Sequence, residues 1–277
     1  IGLIGSPAGQ AVWDSNYVLV NHMKDDDASH VKDSTFYGNN GSKRGENEPI
    51  EADGKVAKAQ SFDGSNDYVD INDFQLGGEI TVEGWIYPKS HQKHQRLLDF
   101  GNGPASDNIL LAASLGFTGK PFFNVYIGST YYGASSSDTI TLNSWHHLVG
   151  VLGGKKVKLY VDNVLKADVT GPAGLNNLIR TNNFIGKSNW SADSYLADSY
   201  FKGLIDEVRI SNVARSAAWI KATYNSVNDT LIKDYAPKET SIYNPSYYLS
   251  LSSTLGPYGE QLDSSSFSLS ANLEPNR

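Results

Sequence analysis

The sequence predicts an all-β protein, an antiparallel sandwich or barrel. Three observations lead there. Aromatic and β-branched residues dominate, with 16 tyrosines in 277 residues, and they fall in short runs parted by Gly, Asn, Asp and Ser. Period-2 alternation with one apolar face is plain in residues 80–87, 156–161 and 204–210, as a half-buried strand requires. Helical spacing is scarce, so strands do not alternate with helices as a parallel sheet would need.

Along the chain, Ile1-Gly2-Leu3-Ile4-Gly5 is neither an initiating methionine nor a signal peptide with a basic start. Residues 1–11 are expected to be an N-terminal extension, 12–228 one domain, and 229–277 a C-terminal segment. Residues 53–59 are expected to form a turn of helix. Asp162-Asn163, directly after one alternating run, suits a tight hairpin turn. Ser216 reads as the N-cap of a helix carrying Trp219, Ile220 and Tyr224 at helical spacing. Beyond Asn228 the chain turns Ser-, Pro- and Tyr-rich, but Tyr247-Tyr248-Leu249-Ser250-Leu251 and Phe267-Ser268-Leu269-Ser270-Ala271 still alternate, as two strands would.

Composition excludes several function classes. With no cysteine, a thiol nucleophile, a zinc-thiolate site and an iron–sulfur cluster are all ruled out. A net charge of −7 argues against a nucleic-acid partner. No apolar run approaches the ~20 residues that span a bilayer.

Six segments in order carry a family resemblance. They are Ser61-Phe62-Asp63-Gly64-Ser65-Asn66-Asp67-Tyr68-Val69, Thr81-Val82-Glu83-Gly84-Trp85-Ile86 and Ser144-Trp145-His146-His147-Leu148-Val149. Leu159-Tyr160-Val161-Asp162, Phe184-Ile185-Gly186 and Phe201-Lys202-Gly203-Leu204-Ile205-Asp206-Glu207-Val208-Arg209-Ile210 follow. Together they resemble the laminin-G-like jelly roll of the concanavalin A-like lectin/glucanase superfamily, over roughly residues 12–225. The resemblance implies an antiparallel jelly-roll β-sandwich with an extended C-terminal segment. Trp85 and Trp145 are then expected between the two sheets. Asp206, inside an apolar strand, needs a cation, a basic partner such as Arg209, or a turn position.

Calcium is the cofactor expected. Hard cations take oxygens from Asp/Asn/Gly-rich turns, which recur at Asp33 to Gly41, Asp63 to Asp67 and Gly203 to Asp206. The resemblance implies Asp206 as a ligand, with Asp63 or Asp33 as partners; the alternative is that these residues only cap turns. Asp107 and Asn108 resemble in position the calcium loop of pentraxins, although Lys187 and Trp190 stand where further acidic ligands would be.

Glycan binding is the activity the resemblance implies, and it needs exposed aromatic faces beside polar donors. Trp190, Tyr195 and Tyr200 lie in a long polar loop, and Tyr131 and Tyr132 form a second pair. Trp190 is either a sugar platform or packed under its own loop. No catalytic residue is assigned: the Glu-x-Asp-x-(x-)Glu strand of the family's glucanases has no counterpart in Leu204-Ile205-Asp206-Glu207-Val208. His91 and His94 lack a third zinc ligand, and His146 and His147 read as hydrogen-bonded structural residues. Three glycosylation sequons begin at Asn40, Asn189 and Asn228. The expectation is an extracellular or cell-surface carbohydrate-binding or adhesion module whose partner is a carbohydrate or glycoprotein surface. The alternative is a structural subunit of a fibre, appendage or virion, which would bind copies of itself by strand exchange.

Overall fold

The structure is a computed structural model that describes residues 10, 12–45, 49–191 and 197–228. The chain divides into two units, residues 1–231 and 232–277; the second, with the two strands expected in it, lies outside the described residues. Tyr195 lies outside them too.

The first strands are β1 (Tyr17–Asp27), β2 (His30–Asp33), β3 (Gly41–Arg44), β4 (Ile50–Asp53), β5 (Lys58–Asp63) and β6 (Tyr68–Ile71). There follow β7 (Phe74–Gly78), β8 (Ile80–Pro88), β9 (Arg96–Gly101), β10 (Ile109–Ala112), β11 (Phe122–Ile127) and β12 (Thr130–Ser135). The last are β13 (His146–Gly153), β14 (Lys156–Val161), β15 (Val164–Thr170), β16 (Leu175–Arg180), β17 (Asn182–Ile185) and β18 (Lys202–Ser211). Helix α1 (Ala217–Val227) follows β18.

A continuous antiparallel ladder runs β12-β11-β10-β9-β17-β6-β3-β2-β1-β18-β8-β13-β14-β15. The β4–β5 hairpin joins it at β18, and β7 pairs β16 separately. The ladder folds over on itself as a jelly roll, so inward side chains of its two halves share one core. Phe100, Leu111 and Phe123 come from one half, and Val82, Leu148, Leu159 and Ile205 from the other. Gly150 lets the halves close: a Cβ there would collide with the Phe123 ring.

Helix α1 starts where the sequence predicts, with Ser216 Oγ accepting from the Trp219 N–H. Its Ile220 packs on Val149, Val151 and Tyr160. Three expectations need correction. Trp85 is buried, but on the outer face of β8. There it stacks on His147 at 5.0 Å and on Tyr224 of α1 at 5.4 Å, because Val82 and Ile86 take the inward parity. Trp145 lies before β13, half-buried and edge-on to Tyr87. Residues 53–59 are no helix: Gly54 N donates to Ala57 O, and the segment is the turn of the β4–β5 hairpin.

Candidate functional site

The outer face of the β12-to-β3 half is built by register. Asp99 stands opposite Phe184 and Leu110, Leu110 opposite Asn124, Ala112 opposite Arg96 and Phe122, and Tyr126 opposite Tyr131. These residues share one face because their neighbours Leu98, Phe100, Leu111 and Phe123 fill the core. Arg96 reaches this face through a bulge: Leu98 pairs Leu111 and Arg96 pairs Ala112, skipping Leu97.

A cleft of about 280 Å³ opens here. Phe122, Tyr126 and Trp190 form its aromatic walls, while Arg96, Asn124 and Asp198 supply polar groups. Trp190 is half-buried, with its ring 5.8 Å from that of Tyr126, which in turn is 5.8 Å from Tyr131. Three rings therefore follow one another across the sheet. Tyr131 is 56% exposed, so its face is open. Tyr132 turns the other way and packs on the core, so the two do not form one exposed pair: strand alternation separates them. Tyr200 sits apart, near Tyr68.

The turn that presents Trp190 is bolted to β9. Asp99, wholly buried, accepts from Asn189 N at 3.0 Å, from Asn189 Nδ2 at 3.0 Å and from Asn108 Nδ2 at 2.9 Å. Burial pushes its carboxyl up, while the Arg96 charge and these N–H groups hold it back. Ser188 Oγ donates to Asp198 at 2.9 Å and accepts from Trp190 N at 3.1 Å. Arg96 donates to Asp198 at 2.8 Å, with Nε 3.7 Å from Asp99. Its guanidinium lies 5.1 Å from the Phe122 ring centre and 5.8 Å from that of Trp190. His94 borders the cleft, and its Nδ1 accepts from Gly116 N, so the proton sits on Nε2. Burial pushes this imidazole below its ordinary range. The side-chain amide of the sequon residue Asn189 is buried against Asp99.

The residues expected to hold calcium are not brought together. Asp33 accepts from the N–H groups of Val20, Thr35 and Asn39 and from the Thr35 hydroxyl. Asp63 caps a turn through Ser65 N and Asn66 N. Asp206 lies on β18 four residues beyond the partner of Asp63, and accepts from Val56 N. Asp107 accepts from Gly128 N and Asn176 Nδ2, and Asn108 Oδ1 from Ser106 N. Among the described residues no three His, Asp or Glu side chains gather around a metal position. Asp33, Asp63 and Asp206, expected at one ion, each serve local N–H donors, as do Asp107 and Asn108, expected at a second. Only Asp206 keeps an oxygen, Oδ1, buried and without a hydrogen bond. Its neighbour Arg209 pairs with Glu207 and Glu83 instead.

The histidine pair is structural: His146 binds Asp162 at 2.8 Å and His147 lies 3.2 Å from Glu83. Among the described residues, no helix is long and apolar enough to cross a membrane.

Arg96, Phe122, Tyr126, Asp99 and Asp198 were not singled out from sequence. Alternation in residues 122–127 could have found Phe122 and Tyr126; Arg96 could not be found so, since the bulge inverts its parity.

No curated protein matches the chain. Similar solved structures do. Domain 4 of AbnA, a GH43 extracellular arabinanase from Geobacillus stearothermophilus, in complex with arabinotriose, is 24% identical with a TM-score of 0.60. The match covers 78% of this chain and 98% of that one. The binding domain of Paraclostridial Mosquitocidal Protein 1 is 16% identical, TM-score 0.54, over 76% of this chain and 52% of that one. Botulinum neurotoxin type C, whose cell entry depends on interaction with two ganglioside molecules, is 10% identical, TM-score 0.54, over 78% of this chain and 52% of that one. These likenesses share the fold. A family model, Laminin_G_3, matches residues 63–221, more than half of the chain. The antiparallel jelly roll and that match together place the chain in the concanavalin A-like lectin/glucanases superfamily.

Proposed function

We propose that the domain is a carbohydrate-binding module acting outside the cell, and that it binds through the cleft beside Trp190. The observation that carries this reading is the row of rings Trp190–Tyr126–Tyr131 flanking a polar floor. Sugars present apolar C–H faces and hydroxyl edges, which match aromatic walls and convergent donors respectively. The turn is fixed by Asp99 before any ligand arrives, so little ordering cost is left for binding. Similar domains belong to an extracellular arabinanase and to toxins, which supports both the ligand class and the location.

The test is a glycan array followed by titration read through tryptophan fluorescence. Trp190→Ala should weaken binding by about tenfold or more, roughly 1.4 kcal/mol, with an unchanged melting temperature. Absence of binding by the intact protein to any glycan, or full binding by the variant, would refute the assignment.

A further inference from the structure

We infer that recognition runs past the cleft onto Tyr131, and that the ligand is a single twisted glycan chain with one sugar unit over each of three rings. Gly133 is the positioning residue that lays the third ring in place. The inference rests on the carbohydrate-binding reading above and names the form of its ligand.

The first observation is the geometry of the rings. Trp190 and Tyr126 line the cleft, and Tyr131, which does not line it, adjoins Tyr126 and is 56% exposed. The row therefore leads out of the cleft onto open surface. Each step is 5.8 Å between ring centres, close to the length of one sugar unit in an extended chain. Each step also turns the ring plane, by 45° from Trp190 to Tyr126 and by 49° from Tyr126 to Tyr131. A flat face, such as that of packed glycan chains, cannot lie on two rings so inclined. A single chain turns about its glycosidic bonds and can offer an apolar C–H face to each ring in succession.

The second observation is Gly133. Tyr131 and Gly133 share a face of β12 by alternation, opposite Tyr126 and Asn124. Gly133 sits in regular ladder and outside the left-handed region, so its backbone does not call for glycine. Glycine inside a strand weakens it and marks a place where another group comes close. Here those groups are two side chains. The Tyr131 hydroxyl lies 2.6 Å, and one of its ring carbons 2.7 Å, from where a Cβ on Gly133 would stand; Asn124 Oδ1 is closer still. Tyr131 thus leans along β12 over the next residue of its own face, which keeps its ring low beside Tyr126. A methyl group at 133 would lift that ring and drive the Asn124 amide towards the cleft it lines. Both obstacles are ends of flexible side chains, so the fold can yield to the methyl group while the platform is lost.

The experiment screens the intact chain on a glycan array and titrates it with ladders of arabinan, xylan and β-1,4-glucan, from monosaccharide to pentasaccharide. On the best-bound ladder, affinity should rise by about tenfold or more up to the trisaccharide and then level off. Microcrystalline cellulose should not retain the chain. Tyr131→Ala should weaken the trisaccharide about tenfold and the disaccharide by no more than about twofold. Gly133→Ala should weaken the trisaccharide several-fold while its melting temperature holds or rises, since alanine gives up less backbone freedom than glycine. The two substitutions together should cost less than their separate losses combined, because both act on one ring. If Gly133→Ala fails to fold, Tyr131→Ala, at an exposed position, still decides the matter. Affinity already complete at the monosaccharide, retention on microcrystalline cellulose, or full binding by Tyr131→Ala or by folded Gly133→Ala would overturn the inference and leave the carbohydrate reading standing. Array binding without a response from any ladder would do the same. If no glycan binds at all, both fall together.

Discussion

Asp206 is wholly buried, and burial raises its carboxyl to about 7, with the Val56 N–H and the adjacent Glu207 charge acting in opposite senses. The folded protein therefore holds a proton that the unfolded chain has released between about pH 4 and pH 7. Stability falls as pH rises through that window, by up to roughly 1.4 kcal/mol per unit. Glu207 runs the other way. Burial would raise it, but the His22 bond and the Arg209 charge bring it down to about 2, so its contribution is lost only as pH falls towards that value. Asp206→Asn should accordingly raise the melting temperature at pH 8 and do little at pH 4.5. An equal gain at both pH values would show that the carboxyl titrates normally. Both residues owe their place to a bulge: Glu207 has a φ of 50°, and the register slips between Asp206 and Arg209. Ile205 and Val208, three apart, both enter the core. This explains what was legible at this scale. Trp190 was visible, because an aromatic in a polar loop stands out in the sequence. Arg96 was not, because alternation counts residues in twos and a bulge adds one.

Among elements, the Trp190 turn and helix α1 carry the clearest expectations. Asp99→Ala would leave the Asn189 backbone N–H and the Asn108 amide without their acceptor, and each such loss costs about 1–3 kcal/mol. Sugar binding should fall further than in a variant of equal instability elsewhere, since the ring of Trp190 is then no longer held. Ile220→Ala supplies that control. It should cost about 2–4 kcal/mol by opening a cavity over Val149 and Tyr160, and leave affinity intact at temperatures where the domain is folded. Binding that survives Asp99→Ala would make the turn's anchoring irrelevant to recognition. Strands β8, β14 and β18 were legible because each keeps one apolar face, and α1 because Ser216 announces it. The 54–57 turn was misread as helix: Ala and Lys favour helices, but Gly54 closes a hairpin on Ala57 at a φ of 54°. Which face of β8 takes Trp85 depended on α1 covering the outside, a tertiary fact that no local pattern holds.

At the scale of the molecule, the architecture was legible because six segments in fixed order leave few ways to wind one sandwich. The assembly of the cleft was not, since it draws on strands from residue 96 to residue 135 and a turn near 190. The core described here runs from Val18 to Ile220. A chain ending at Asn228 should therefore melt cooperatively within a few degrees of the full chain and keep its sugar binding. Unfolding of that shorter chain would place part of the stability in residues 229–277.

Strand β18 is the last of the described strands to leave the ribosome, yet it lies in mid-ladder, hydrogen-bonded to β1, β5 and β8. Until residue 211 has been made, those three strands have an open side and the two halves of the ladder have no seam. The order of synthesis thus postpones closure to the end, whatever forms earlier. A chain with such distant pairings folds in milliseconds to seconds rather than microseconds, and its waiting edges are templates for other chains. A nascent chain halted anywhere short of β18 is therefore an unfinished sheet that holdase chaperones would recognise, and its refolding rate is set by how fast one late strand finds the gap left for it.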